Sequence, residues 1–161
     1  MRGDSAEARD PGGGPEFGPE AEFVRSLSAL ETAILDACAD PEEWPAQIAA
    51  GVYAGVDFVV GHPDAAQALA HGTTSGSDYR RRYDNVVGRL TGFLRVRAPH
   101  DRRLPVSTDE AMVAGVVGLV GDHIRIGRLE RLTELRPELV LLTLLPYLGF
   151  AEAQRWAEVA N

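Results

Sequence analysis

Apolar residues recur at three- and four-residue intervals along most of this chain, and no apolar–polar alternation lasts long enough to make a strand. Phe23, Leu27, Leu30, Ile34 and Leu35 share one face of a first helix, expected from about Glu20 to Ala39. Asp40-Pro41-Glu42-Glu43 then offers a cap, a proline for the first position and a following glutamate. A second helix is therefore expected to open there and run to Val60, with Ile48, Val52, Val56 and Val59 as its stripe. Gly61-His62-Pro63 closes it and starts a short third helix to about Ala70, and His71 to Ser77 reads as a loop. The fourth helix, Ser77 to Arg97, is the cleanest amphipath: Tyr79, Tyr83, Val86, Val87, Leu90, Phe93 and Leu94 form its stripe. After a polar loop, Ser107-Thr108-Asp109-Glu110 has the form of a capping box for a fifth helix that Gly127 closes. Arg128 to Arg136 reads as a connecting segment, followed by helices over Pro137 to Gly149 and Phe150 to Ala160. The pattern predicts an all-α domain of about seven helices over residues 20–161, behind a Pro/Gly-rich tail at residues 1–19.

The stretch P-E-L-V-L-L-T-L-L-P-Y-L-G, from Pro137 to Gly149, poses a burial problem. It is far shorter than the ~20 apolar residues needed to cross a bilayer. A helix that is apolar all round must be covered on every side. One small domain covers the inner side with its own core, so the outer side calls for a second copy of the chain.

Composition narrows the classes. The net charge of −8 makes the chain a poor partner for phosphate backbones, and all 16 basic residues are arginine. Arg80-Arg81-Arg82 is flanked by Asp78 and Asp84, which reads as a solvated helix face and not a nucleic-acid patch. Cys38 is the single cysteine, so no intrachain disulfide and no thiolate metal cluster is expected. No apolar signal-peptide core follows Met1-Arg2, and the expected location is cytoplasmic.

Candidate chemistry is sparse. No phosphate loop, dinucleotide fingerprint, nucleophile elbow or metal-ligand spacing is found, so neither an enzyme, a metal nor a cofactor is expected. In the fifth helix Ala111, Ala114, Gly115, Gly118 and Gly121 gather on one side, which fits either close helix packing or the lining of a pocket. His123 falls among Met112, Val116 and Leu119, either as a core histidine bonded to a neighbour or facing a pocket or a partner. Tyr53 and Asp57, one turn apart, are either a solvated face or part of a cavity wall. Arg89 is placed to pair with Asp57, with an acidic ligand or in a surface salt bridge.

The order of four segments carries a resemblance: Ala39-Asp40-Pro41-Glu42-Glu43-Trp44-Pro45; Gly61-His62-Pro63; the helix Glu110-Ala111-Met112-Val113-Ala114-Gly115-Val116-Val117-Gly118; and Pro137-Glu138-Leu139 through Pro146-Tyr147-Leu148-Gly149. Over about residues 20–161 the chain resembles the C-terminal regulatory domain of TetR/AcrR-type bacterial transcriptional regulators. The resemblance implies a homodimer and a small-molecule pocket for an apolar or amphipathic effector. It nominates Tyr53, Val56, Asp57, Tyr83, Val86, Leu90, Phe93, Val116 and His123 for the pocket. For the dimer face it nominates Met112, Val116 and Leu119 with Leu139, Leu142, Leu145 and Pro146. Ligand binding would then shift the relative orientation of two DNA-reading domains. Residues 1–19 leave no room for the three-helix reader of that family, so the DNA-binding half is expected to be absent from this chain, and no direct nucleic-acid or membrane binding is expected. The alternative is a stand-alone helical interaction protein that pairs with other regulators through the Leu139 to Leu148 face.

Overall fold

The computed structural model describes residues 18–72 and 76–159, and the expected N-terminal tail lies almost wholly outside them. Eight α-helices and no strand occur among the described residues, as the 3.6-residue periodicity requires. They are α1 (Pro19–Ala37), α2 (Trp44–Gly61), α3 (Pro63–Gly72), α4 (Ser77–Arg97), α5 (Val106–Arg125), α6 (Leu129–Glu134), α7 (Arg136–Leu148) and α8 (Phe150–Val159), with a 3-10 turn at His100–Arg102. Among these residues no helix is long and apolar enough to cross a membrane.

Several boundaries follow the local chemistry. Gly127, at φ 70°, closes α5: its N–H bonds the Ile124 carbonyl at 3.1 Å, and the Arg128 N–H reaches back to His123 at 2.9 Å. This pair of bonds satisfies carbonyls that the end of a helix leaves orphaned, and the left-handed backbone costs glycine little. Gly149, at φ 75°, ends α7 in the expected place. Other boundaries differ. The second helix opens at Trp44 and not at Pro41, because Pro45 occupies the first turn and Pro41 instead offers its carbonyl to Gln47 Nε2 at 2.8 Å. The capping box at Ser107 does not form: α5 starts one residue earlier, after Pro105, with no side-chain cap. Leu129–Glu134, read as a connector, is a six-residue helix whose Leu132 is fully buried.

The packing centres on α2, which touches α1, α3, α6, α7 and α8. Around its first half Trp44 and Ile48 join Leu94, Met112, Val140, Leu144 and Tyr147, with Trp44 edge-on to Tyr147 at a centroid separation of 5.1 Å. Around its second half Val56 and Val59 join Ala66, Ile124, Leu132 and Leu139. A third cluster, Phe23, Leu27, Leu69 and Val86, ties α1 and α3 to α4. The burial problem in α7 resolves only in part. Leu139, Val140, Leu144 and Tyr147 are buried, and Thr143 donates its hydroxyl to the Leu139 carbonyl at 2.7 Å. Leu142 and Leu145 remain 42% and 37% exposed, with Pro146 beside them.

Candidate functional site: an apolar cavity

Between α1, α2, α4, α5 and α7 lies a cavity of about 160 Å³. Leu30 and Ile34 of α1, with Cys38 just past its end, form one wall at four-residue spacing. Val52, Val56 and Val59 of α2 form the second, and Leu90, Phe93 and Leu94 of α4 the third. Val113, Val116, Val117 and Val120 of α5 close the opposite side, and Leu139 and Thr143 of α7 complete it. The β-branched side chains of α5 have stiff rotamers, so this wall holds its shape.

Two glycines of α2 let the first two walls approach. A Cβ on Gly51 would stand 2.5 Å from Cys38 Sγ, and one on Gly55 would stand 3.3 Å from the Ile34 side chain. Only a residue without a side chain fits at Gly51 as the helices stand. Cys38 is 3% exposed, and burial pushes its thiol up to about 11, partly countered by Arg97. It is therefore a neutral thiol near pH 7, a weak nucleophile.

Of the residues nominated from sequence, Val56, Leu90, Phe93 and Val116 border the cavity. Tyr53, Asp57, Tyr83, Val86 and His123 do not. Asp57 pairs with Arg136 of α7, and the same guanidinium lies over the Tyr53 ring, 5.3 Å from its centroid. The Tyr53 hydroxyl is buried with no hydrogen-bond partner among the described residues, and burial raises its pKa. Val86 is core, with Tyr83 packed against the same α1–α3–α4 cluster and its pKa raised by burial. His123 places Nδ1 3.0 Å from the Leu119 carbonyl of its own helix and does not border the cavity. Arg89 holds Glu31 of α1, not Asp57, in a two-pronged contact that includes Nη2 to Oε2 at 2.6 Å, and this hydrogen bond lowers the Glu31 pKa.

The face of α5 opposite the cavity is open. Ala111, Ala114, Gly115, Gly118 and Leu119 are exposed, and a Cβ at Gly115 or Gly118 would meet nothing within 4 Å. Neither close packing nor pocket lining accounts for these glycines within one subunit. Met112 and Leu139, nominated for a dimer face, are core at 8% and 1% exposure, and Val116 faces the cavity. Leu119, Leu142, Leu145 and Pro146 do lie on the outside, on two helices that pack together.

One polar assembly escaped the sequence reading. Asp109, 1% exposed, accepts from Arg95 Nη1 at 2.8 Å through one oxygen and from the Tyr147 hydroxyl through the other. Arg95 also donates to the Leu104 carbonyl at 2.8 Å. Burial, followed by the bond to Asp109, raises the Tyr147 pKa. The buried carboxylate thus has the paired donors that such a charge requires, and it joins α4, α5 and α7. Its signal in the sequence was an acidic residue two places inside a helix start, indistinguishable there from a cap.

No group of three or more His, Cys, Asp or Glu placed to hold a metal occurs among the described residues. Comparison with protein-family models, with curated proteins and with solved structures gives no match, so the fold and the cavity carry the functional argument on their own.

Proposed function

We infer that residues 18–159 are the effector-binding and dimerisation domain of a TetR-like bacterial transcriptional regulator, acting in the cytoplasm. The observation that carries this reading is the pairing of two surfaces on the same helices. The inner faces of α5 and α7 wall an apolar cavity, while their outer faces carry Leu119, Leu142 and Leu145, exposed with the small residues of α5. A small molecule in the cavity and a second subunit outside would thus sense the same two helices. That is what coupling a ligand to the geometry of a dimer needs. Close approach of two α5 helices through Ala111, Gly115 and Gly118 would follow twofold symmetry, the commonest arrangement of homo-oligomers.

Light scattering over a concentration series tests the reading: a dimer at micromolar concentration is expected, and a monomer throughout would refute it. A second reading, an interaction protein that pairs with other regulators, draws on the same exposed face but not on the cavity. It predicts a stable partner complex whose affinity does not respond to any occupant of the cavity.

A further inference from the structure

We propose that the cavity takes an uncharged, compact hydrocarbon, a single aromatic or alicyclic ring with at most short alkyl groups, and rejects amphiphiles. This rests on reading the cavity as a ligand site and narrows the ligand class beyond apolar or amphipathic. The side-chain heteroatoms in the lining are Thr143 Oγ1 and Cys38 Sγ. The first already donates to the Leu139 carbonyl, and the second is a protonated thiol. The other lining residues are aliphatic, phenylalanine or glycine, and they come from helices whose backbone groups are already bonded. An ionised or strongly polar group inside would lose its water and gain no donor in return.

The nearby cations do not change this. Arg95 is held by Asp109 and the Leu104 carbonyl, Arg136 by Asp57, Arg89 by Glu31, and Arg97 donates to Gln47 Oε1 with its guanidinium over the Phe93 ring; none of the four lines the cavity. Size points the same way. At about 160 Å³ the space matches the scale of a ~150 Å³ dry cavity lined by leucine, isoleucine and phenylalanine that admits benzene. An occupant of about six to ten non-hydrogen atoms follows from that comparison. The carboxylate of a medium-chain fatty acid does not fit the polarity of the site.

Cys38 supplies a reporter without any added label, since it is the sole thiol of the chain and borders the cavity. The test uses the full chain with toluene and ethylbenzene, their charged counterparts benzoate and benzylammonium, and octanoate. Each is scored by the melting temperature and by the rate of Cys38 alkylation with N-ethylmaleimide. An occupant of the native state raises the first and slows the second, about tenfold when its concentration is ten times its Kd. Toluene or ethylbenzene is expected to do both, and the three charged compounds neither. Octanoate, benzoate or benzylammonium acting as strongly as toluene would overturn the hydrocarbon assignment and leave the ligand-site reading standing. No response to any of the five would overturn both. Val116→Phe, and the milder Val120→Leu, should fill the space and remove the toluene response. A response that persists in folded variants would place the binding elsewhere and overturn the proposal.

Discussion

Replacing Leu142 by glutamate separates the dimer contact from the fold, because the structure leaves this side chain 42% exposed. Full burial of a leucine side chain is worth about 1.5–3 kcal/mol. Scaled by the 42% still facing water, about 0.6–1.3 kcal/mol per Leu142 remains for a partner to bury. Twofold symmetry counts the side chain twice, so Leu142→Ala should weaken the dimer by about 1–2.5 kcal/mol, which is roughly fivefold to seventyfold in Kd. Leu142→Glu adds the cost of burying a carboxylate on each side without a cation, and it should leave only monomer at micromolar concentration. The monomer should stay folded, since the new charge faces water there. Leu139→Glu, at a site 1% exposed, is the contrasting control and should unfold the chain. Sedimentation velocity gives the mass and far-ultraviolet circular dichroism the fold. A Leu142→Glu variant that remains dimeric with unchanged Kd refutes the assigned face, and one that unfolds as Leu139→Glu does refutes the exposure argument.

Gly51→Ala should destabilise the chain by about 1–3 kcal/mol through overpacking against Cys38 Sγ, and much of that loss should vanish in a Cys38→Ala background. Additive effects in a urea-melt cycle would show that the two do not collide. Asp109→Ala strands the Tyr147 hydroxyl, leaves Arg95 with the Leu104 carbonyl alone, and should cost about 1–3 kcal/mol. Tyr147→Phe, which leaves the Arg95 pair in place, should cost about 1–2 kcal/mol. An Asp109→Ala penalty below about 0.5 kcal/mol would mean that the carboxylate is idle. The Cys38 thiol is pushed up to about 11 in the fold from an ordinary value of 9.0, so the unfolded chain loses this proton first. Stability from this group is intact below pH 9 and is lost as pH rises towards 11, by an amount on the order of 2 kcal/mol. Cys38→Ala should flatten that part of the pH–stability curve, and an unchanged slope would contradict the burial of the thiol.

Periodicity located α1 and α4 by their amphipathic stripes, and α5 and α7 by apolar runs whose outer faces carry small residues and leucines in place of charges. It missed α6, whose six residues span less than two turns and hold a single buried anchor, Leu132. It also drew the cavity from too few helices. The contribution of α1 was visible as Leu30, Ile34 and Cys38 at four-residue intervals, and the facing pair Gly51 and Gly55 repeats at the same spacing. The more conspicuous glycines, Gly115 and Gly118 of α5, face outward. Sequence shows that a glycine permits close approach but not what does the approaching. Tyr53 and Asp57, nominated for the pocket by resemblance, lie outside its lining for a similar reason: their partner, Arg136, lies far along the chain, and spacing says nothing about contacts of that range.

The buried Asp109 gives α5 two mechanically different ends. Near its start the helix is fixed by directional, charge-assisted bonds to Arg95 and Tyr147, which a shift of an ångström would break. From Val113 to Val120 it rests on methyl groups, whose attraction has no preferred direction and tolerates sliding. At its far end Ile124 is buried against Val59 and Leu132, so α5 is held by directional bonds where it begins and by apolar burial where it ends.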